Sequence, residues 1–138
     1  MTVQPMPYAA ACAIVDERSS RQCERCGKTV LSGGHHHHRK LRSRGGLDCP
    51  SNLVFVCAGC HNWIHANPAL ATEAGWMVGT RSDPEGAAIN SARYGRVFLG
   101  TDGQLYGLTP DECLRAERAA RLAATVWPRT TTTPGVHS

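Results

Sequence analysis

Apolar positions fall in short bursts along the chain, each closed by glycine, proline or a small polar residue. Pro7 can open a helix on which Tyr8, Ala11, Cys12, Ile14 and Val15 form one stripe, with Asp16 to Arg18 at its polar end and a stop near Ser19–Ser20. Thr29 to Leu31 and His35 to Arg39 read as extended, broken at Ser32-Gly33-Gly34. The β-rich run Leu53-Val54-Phe55-Val56 follows a long loop, Lys40 to Ser51, so the two extended segments make a hairpin with an oversized basic connection. His61 to Ala66 reads as a helix. Asn67 is placed to cap a second one from Pro68 to Ala74, and Gly75 fits its stop.

Beyond this, Trp76-Met77-Val78 suggests one more short strand and Gly79 to Tyr94 a loop. Arg96 to Leu99 and Gln104 to Leu108 flank Gly100-Thr101-Asp102-Gly103 as a hairpin with Asp-Gly turn chemistry. Thr109-Pro110-Asp111-Glu112 is a capping box that predicts a helix from Pro110 to Trp127. Pro128 to Ser138, with four consecutive Thr, lacks core-forming residues and is expected to be a disordered tail. The expected organisation is one α+β domain over residues 1–127: a core at about 21–78, an accessory hairpin and helix at about 79–127, then a tail at 128–138.

Composition sharpens this picture at one point, the core. With 138 residues, 14 Gly, 8 Pro and only two Phe, three Tyr and three Trp, the chain has little bulk to bury and is expected to need a staple. The longest apolar run, Leu53 to Gly59, is far below the roughly 20 residues of a membrane helix. No Lys or Arg precedes the apolar stretch Tyr8 to Val15, so a cytoplasmic setting is expected, where clustered cysteines hold metal more often than disulfides.

Net charge is +4, and its distribution matters more than its sum. Arg18, Arg21, Arg25, Lys28, Arg39, Lys40, Arg42 and Arg44 oppose only Glu24, which makes the segment 18–44 carry +7. A concentration of this kind points to an anionic partner such as nucleic acid, or else to a solvated basic loop.

Cys23 and Cys26, then Cys57 and Cys60, give C-x2-C-x30-C-x2-C: two thiolate pairs able to complete one tetrahedral zinc site, with Gly27 supplying the positive φ of the first knuckle. Two disulfides, or a site in which His61 or His65 replaces one sulfur, are the alternatives. Cys12, Cys49 and Cys113 have no such pattern and read as ordinary thiols.

A second cluster comprises His35-His36-His37-His38, Asn52, His61 and His65. His61 and His65 are four apart and share one helix face, and the hairpin can deliver a third imidazole from the histidine run. Adjacent residues on a strand face opposite sides, so one histidine can ligate an ion while its neighbour faces another part of a substrate.

The ordered set Cys23-x2-Cys26-Gly27, His37-His38-Arg39, Gly45-Gly46, Asn52-Leu53-Val54, Cys57-x2-Cys60-His61 and His65 resembles the HNH endonuclease family, in particular small HNH proteins of actinobacterial phages. The resemblance implies a zinc-stapled ββα-metal core of His-Me-finger, treble-clef-like type, with flanking helices and a C-terminal hairpin, that cuts DNA phosphodiester bonds. It further implies that His37 and His61 hold the catalytic divalent ion, with His65 where many members place another ligand. His38 would be the general base, and Asn52 would fix the hairpin loop. The register within His35 to His38 is open from spacing alone; His37-His38 is preferred because the family pair is commonly followed by Arg, matched by Arg39.

On this reading the cofactors are a structural Zn2+ and a catalytic Mg2+, Mn2+, Ni2+ or Zn2+. The partner is DNA, gripped by Arg39, Lys40, Arg42 and Arg44. A role in phage DNA packaging inside a bacterial host, beside terminase subunits, is implied by the resemblance alone. The competing reading is a non-catalytic, zinc-stabilised DNA-binding module.

Overall fold

The computed structural model describes residues 6–107; the helix expected at Pro110 to Trp127, the tail from Pro128 and Cys113 lie outside them. The elements run α1 (Tyr8–Ser19), β1 (His35–His38), β2 (Leu53–Val56), α2 (Ala58–Ala66), α3 (Pro68–Glu73), β3 (Ile89–Ser91), β4 (Gly95–Leu99) and β5 (Leu105–Gly107), with 3₁₀ turns at Arg42–Arg44 and Pro84–Gly86. This is the α+β architecture expected from the pattern. No helix among the described residues is long and apolar enough to cross a membrane.

β2 is the centre of the core. All four of its residues are buried, unlike the alternating exposure of a strand with one wet face. It pairs antiparallel with β1 in the register His35–Val56, His36–Phe55, His37–Val54 and His38–Leu53. α1 packs across β2 through the buried Ala11 and Val15, and Ile64, Ala71 and Trp76 are buried in the same core cluster. Ser20 and Arg21 take positive φ as the chain leaves α1, and Gln22 bridges Thr29 to form the knuckle around Gly27, whose φ is +84°.

Three expectations are corrected. Trp76-Met77-Val78 is not a strand: after Gly75 (φ +85°) the backbone folds onto α3, with the Trp76 N–H donating to Ala71 O and the Val78 N–H to Arg39 O. Both bonds are long-range or helix-terminal, invisible to a three-residue apolar pattern. The supposed loop before Tyr94 contains β3, which joins the expected hairpin as β3-β4-β5. Finally, the Asn67 side chain does not cap α3; its Nδ2 donates back to Trp63 O and so finishes α2.

Candidate active site and metal centres

Two donor clusters emerge from the hairpin and α2. The first is Cys23, Cys26, Cys57 and Cys60, all buried, with their sulfurs within 4.8 Å of one another. Cys57 is also the N-cap of α2, its sulfur accepting from the Cys60 N–H, so the second knuckle and the helix start together. Hydrogen bonding to Cys26 pushes the Cys23 thiol up to about 11, and the Cys23 and Cys26 sulfurs push Cys60 further up. A buried cluster of four sulfurs suits a divalent cation, which holds its cysteine ligands as thiolates. Arg25 lies over the Trp63 ring at 3.9 Å and donates to the Cys60 sulfur at 3.2 Å, adding positive charge beside the tetrad.

The second cluster is His37, His61 and His65, whose ligand nitrogens also lie within 4.8 Å. β1 supplies His37 and α2 supplies the other two from one face. The Nε2 atoms of His61 and His65 are 3.2 Å apart, close to the separation of about 3.3 Å that tetrahedral geometry sets between two imidazole nitrogens on one ion. His37 is buried, and its Nε2 donates to Trp76 O at 2.9 Å, leaving Nδ1 with the lone pair. A backbone carbonyl on the far nitrogen is the usual brace of a metal-binding histidine. Burial pulls His37 down to about 4 and His61 below its ordinary value, so both imidazoles are neutral near pH 7.

His38, next on the strand, faces the α1 side, where its Nε2 lies 2.8 Å from Asp48 Oδ1 and its ring stacks on Tyr8. Asn52 is buried at the base of the loop: its Oδ1 accepts from the Lys40 N–H, and its Nδ2 donates to Lys40 O and Leu47 O. Gly46 permits that closure, because a Cβ there would fall 1.8 Å from Lys40 O.

Residues 23–67 match the family model described as HNH endonuclease. Over about a third of the chain, this stretch is similar to the HNH endonuclease family. No curated protein and no solved structure matches the chain. The matched stretch holds both donor clusters, Cys23, Cys26, Cys57 and Cys60 and His37, His61 and His65, together with the rest of the histidine run and Asn52.

Within the matched stretch the remaining histidines divide by strand parity. His35 shares the face of His37 and stacks on His61 with centroids 4.2 Å apart, while His36 turns to α1 and meets Asp16 Oδ1 at 2.7 Å. The basic segment divides too. Arg39 is fully buried rather than poised for DNA, which corrects its placement among the phosphate contacts. Its guanidinium donates to Gly75 O, Ser51 O, Pro84 O and Ala87 O, tying the loop after α3 to the hairpin.

Arg18 is likewise internal, held by the buried Glu24 at 2.7 and 2.8 Å, with further bonds to Pro50 O and Leu53 O. Of the expected DNA-facing set, Arg42 and Arg44 are exposed and Lys40 is half-buried, its ammonium donating to Ser82 O. Two acidic residues have roles the sequence reading did not assign: Glu24, counted there only as a lone charge, is the buried partner of Arg18, and Asp48 is the partner of His38. The only signal for either was a lone acid inside a basic stretch.

Proposed function

We propose that the protein is a metal-dependent endonuclease that hydrolyses DNA phosphodiester bonds. One observation carries the proposal: His37, His61 and His65 converge on one point while the adjacent His38 is held apart from them, a division that binding alone does not require. The HNH match supports a nuclease-type activity. A divalent ion held by His37, His61 and His65 would supply Lewis acidity for the phosphate and leaving oxygen, undiminished by any ligand charge because all three donors are neutral.

The residues of the chain divide the remaining work. His38 takes the proton of the attacking water on the side opposite the leaving oxygen. Asn52 holds the loop from Lys40 to Leu47 closed, which fixes the end of β1 and hence His38. Arg42, Arg44 and the half-buried Lys40 hold flanking phosphates, neutralising backbone charge without reading sequence. Cys23, Cys26, Cys57 and Cys60 would hold a structural zinc, which would tie the knuckle before β1 to the start of α2 and so brace the strand and helix that carry the imidazoles.

Supercoiled plasmid incubated with Mg2+, Mn2+, Ni2+ or Zn2+ tests the proposal. The wild-type protein should yield nicked or linear DNA, and His38→Ala should lose 10²-fold or more in rate with zinc content and DNA affinity retained. If the wild type binds DNA but cuts none with any of these ions, the protein is a zinc-stabilised DNA-binding module.

A further inference from the structure

We propose that Asp48 is the positioning residue for His38, its carboxylate fixing the imidazole in the tautomer that carries the proton on Nε2 and leaves Nδ1 as the basic nitrogen. The inference rests on the reading of His38 as general base and adds to it the group that orients that base and the nitrogen that acts.

Asp48 comes from the β1–β2 connection and reaches back to the last residue of β1, placing Oδ1 at 2.8 Å from His38 Nε2. The approach is braced from several sides. The carbonyl of Leu47, one residue earlier, accepts from Asn52 Nδ2 at 3.0 Å, so the buried amide that closes the loop also sets the position of Asp48. Arg42 grips the same carboxylate, sharing Oδ1 with His38 through Nη2 at 3.1 Å and Nε at 3.3 Å and reaching Oδ2 with Nη2 at 3.3 Å. The Tyr8 ring lies nearly parallel to His38, 11° apart at 5.9 Å, with the Arg42 guanidinium over its ring at 5.1 Å. The imidazole is therefore held in its plane by Asp48 and against its face by Tyr8.

The chemistry follows from what each group can donate. The hydrogen bond from His38 holds the Asp48 carboxyl below its ordinary range, so at neutral pH it is an acceptor only. A neutral imidazole facing that acceptor with Nε2 must carry its proton there, and Nδ1 then holds the lone pair. When His38 takes the water's proton on Nδ1, the ring becomes a cation with its Nε2–H already directed at a carboxylate, the role that an acid has behind a histidine base in hydrolytic triads. Neighbouring histidines thus share a tautomer for different reasons: His37 is fixed by the neutral carbonyl of Trp76 and His38 by a negative charge suited to an imidazolium.

The arrangement also explains Arg42. Its ion pair with Asp48 steadies the carboxylate from outside and commits the guanidinium partly to the protein, so Arg42 links the DNA-facing loop to the orientation of the base.

The test uses the full-length, zinc-loaded protein with Mg2+ and the variants Asp48→Ala, Asp48→Asn and Asp48→Glu. Long-range ¹H–¹⁵N correlation spectra, with the His38 ring assigned by comparison with His38→Ala, should show a single Nε2–H tautomer in the wild type. They should show loss or mixing of that tautomer in Asp48→Ala and Asp48→Asn. Single-turnover plasmid nicking should fall about 10²- to 10⁴-fold in the same two variants, with DNA affinity within a few-fold of wild type, and Asp48→Glu should restore part of both signals. Asp48→Asn preserves the side-chain volume and keeps the test informative if Asp48→Ala folds poorly. An unchanged His38 tautomer in Asp48→Asn, or nicking within about threefold of wild type, overturns the proposal. Should His38→Ala itself cut normally, the base reading fails and the proposal with it, whereas the tautomer readout reports on the Asp48–His38 pair independently of cutting.

Discussion

The Nε2 proton of His37 is bonded to the carbonyl of Trp76 across 39 residues of sequence, which couples the side of β1 that faces His61 and His65 to the turn after α3. That turn is in turn held by Gly75, where a Cβ would lie 2.0 Å from Ala88 O, and by the four carbonyls that Arg39 gathers. The carbonyl that braces His37 thus comes from Trp76, outside the matched stretch.

The exposed end of the cluster should be the easier one to compensate. His61→Ala removes one of three imidazoles and should weaken the catalytic ion about 10- to 100-fold, so nicking returns in part at high Mn2+ or Ni2+. His38→Ala should not respond to added metal. A metal titration of nicking in both variants separates the two roles; identical responses would count against the assignment.

Burial of His37 sets a pH dependence. Its pKa is pulled from 6.5 to about 4, so between those values the unfolded chain binds more protons than the folded one and stability rises with pH. The contribution is fully present above about pH 6.5 and is lost as the pH falls toward 4. His37→Asn should therefore flatten the denaturation free energy between pH 5 and 6.5 by up to about 1.4 kcal/mol per pH unit relative to wild type. Parallel curves would show that His37 is hydrated in solution.

The cysteine tetrad should behave as one unit. Zinc content of the purified protein should be one tightly held ion per chain, and Cys57→Ser should lose it along with several kcal/mol of stability, since ligand binding here is also folding free energy. Cys12→Ser, outside the tetrad, should leave zinc content unchanged. Metal analysis and chelator-induced unfolding measure both.

Arg39 should act through the fold. Arg39→Lys supplies three donors in place of a five-donor fork and leaves buried carbonyls unpaired, so about 3 kcal/mol or more should be lost in chemical denaturation. A thermal shift close to zero would contradict the buried clamp.

DNA affinity should depend on the cations that remain outside. Replacing Lys40, Arg42 and Arg44 together by Ala should lower the log-log salt slope by roughly 2 to 3 units. An unchanged slope would place the DNA on another face.

How much of this was legible before the fold was known depends on the range of each interaction. The knuckles, the pairing of His61 with His65 and the Asp102-Gly103 hairpin are set by residues a few positions apart, and turn geometry or helical spacing specifies them locally. Strand alternation likewise determines that His35 and His37 share one face and His36 and His38 the other. It does not say which face meets α2. That was decided by the β1–β2 register and by the burial of Val54 and Phe55 on opposite sides of β2. The same holds for charge: a run of cations carries no mark of which members lie inside, because burial of Arg18 and Arg39 depends on Glu24 and on carbonyls from distant turns. Trp76-Val78 differs from expectation for this reason, since the Val78 N–H donates to the distant Arg39 O, whereas Asn67 and β3 have partners near in sequence, Trp63 and β4, that the local pattern did not single out. Sequence determined which chemical groups the hairpin and helix carry; tertiary packing decided which of them face one another, since only the folded backbone supplies the long-range carbonyl and carboxylate partners.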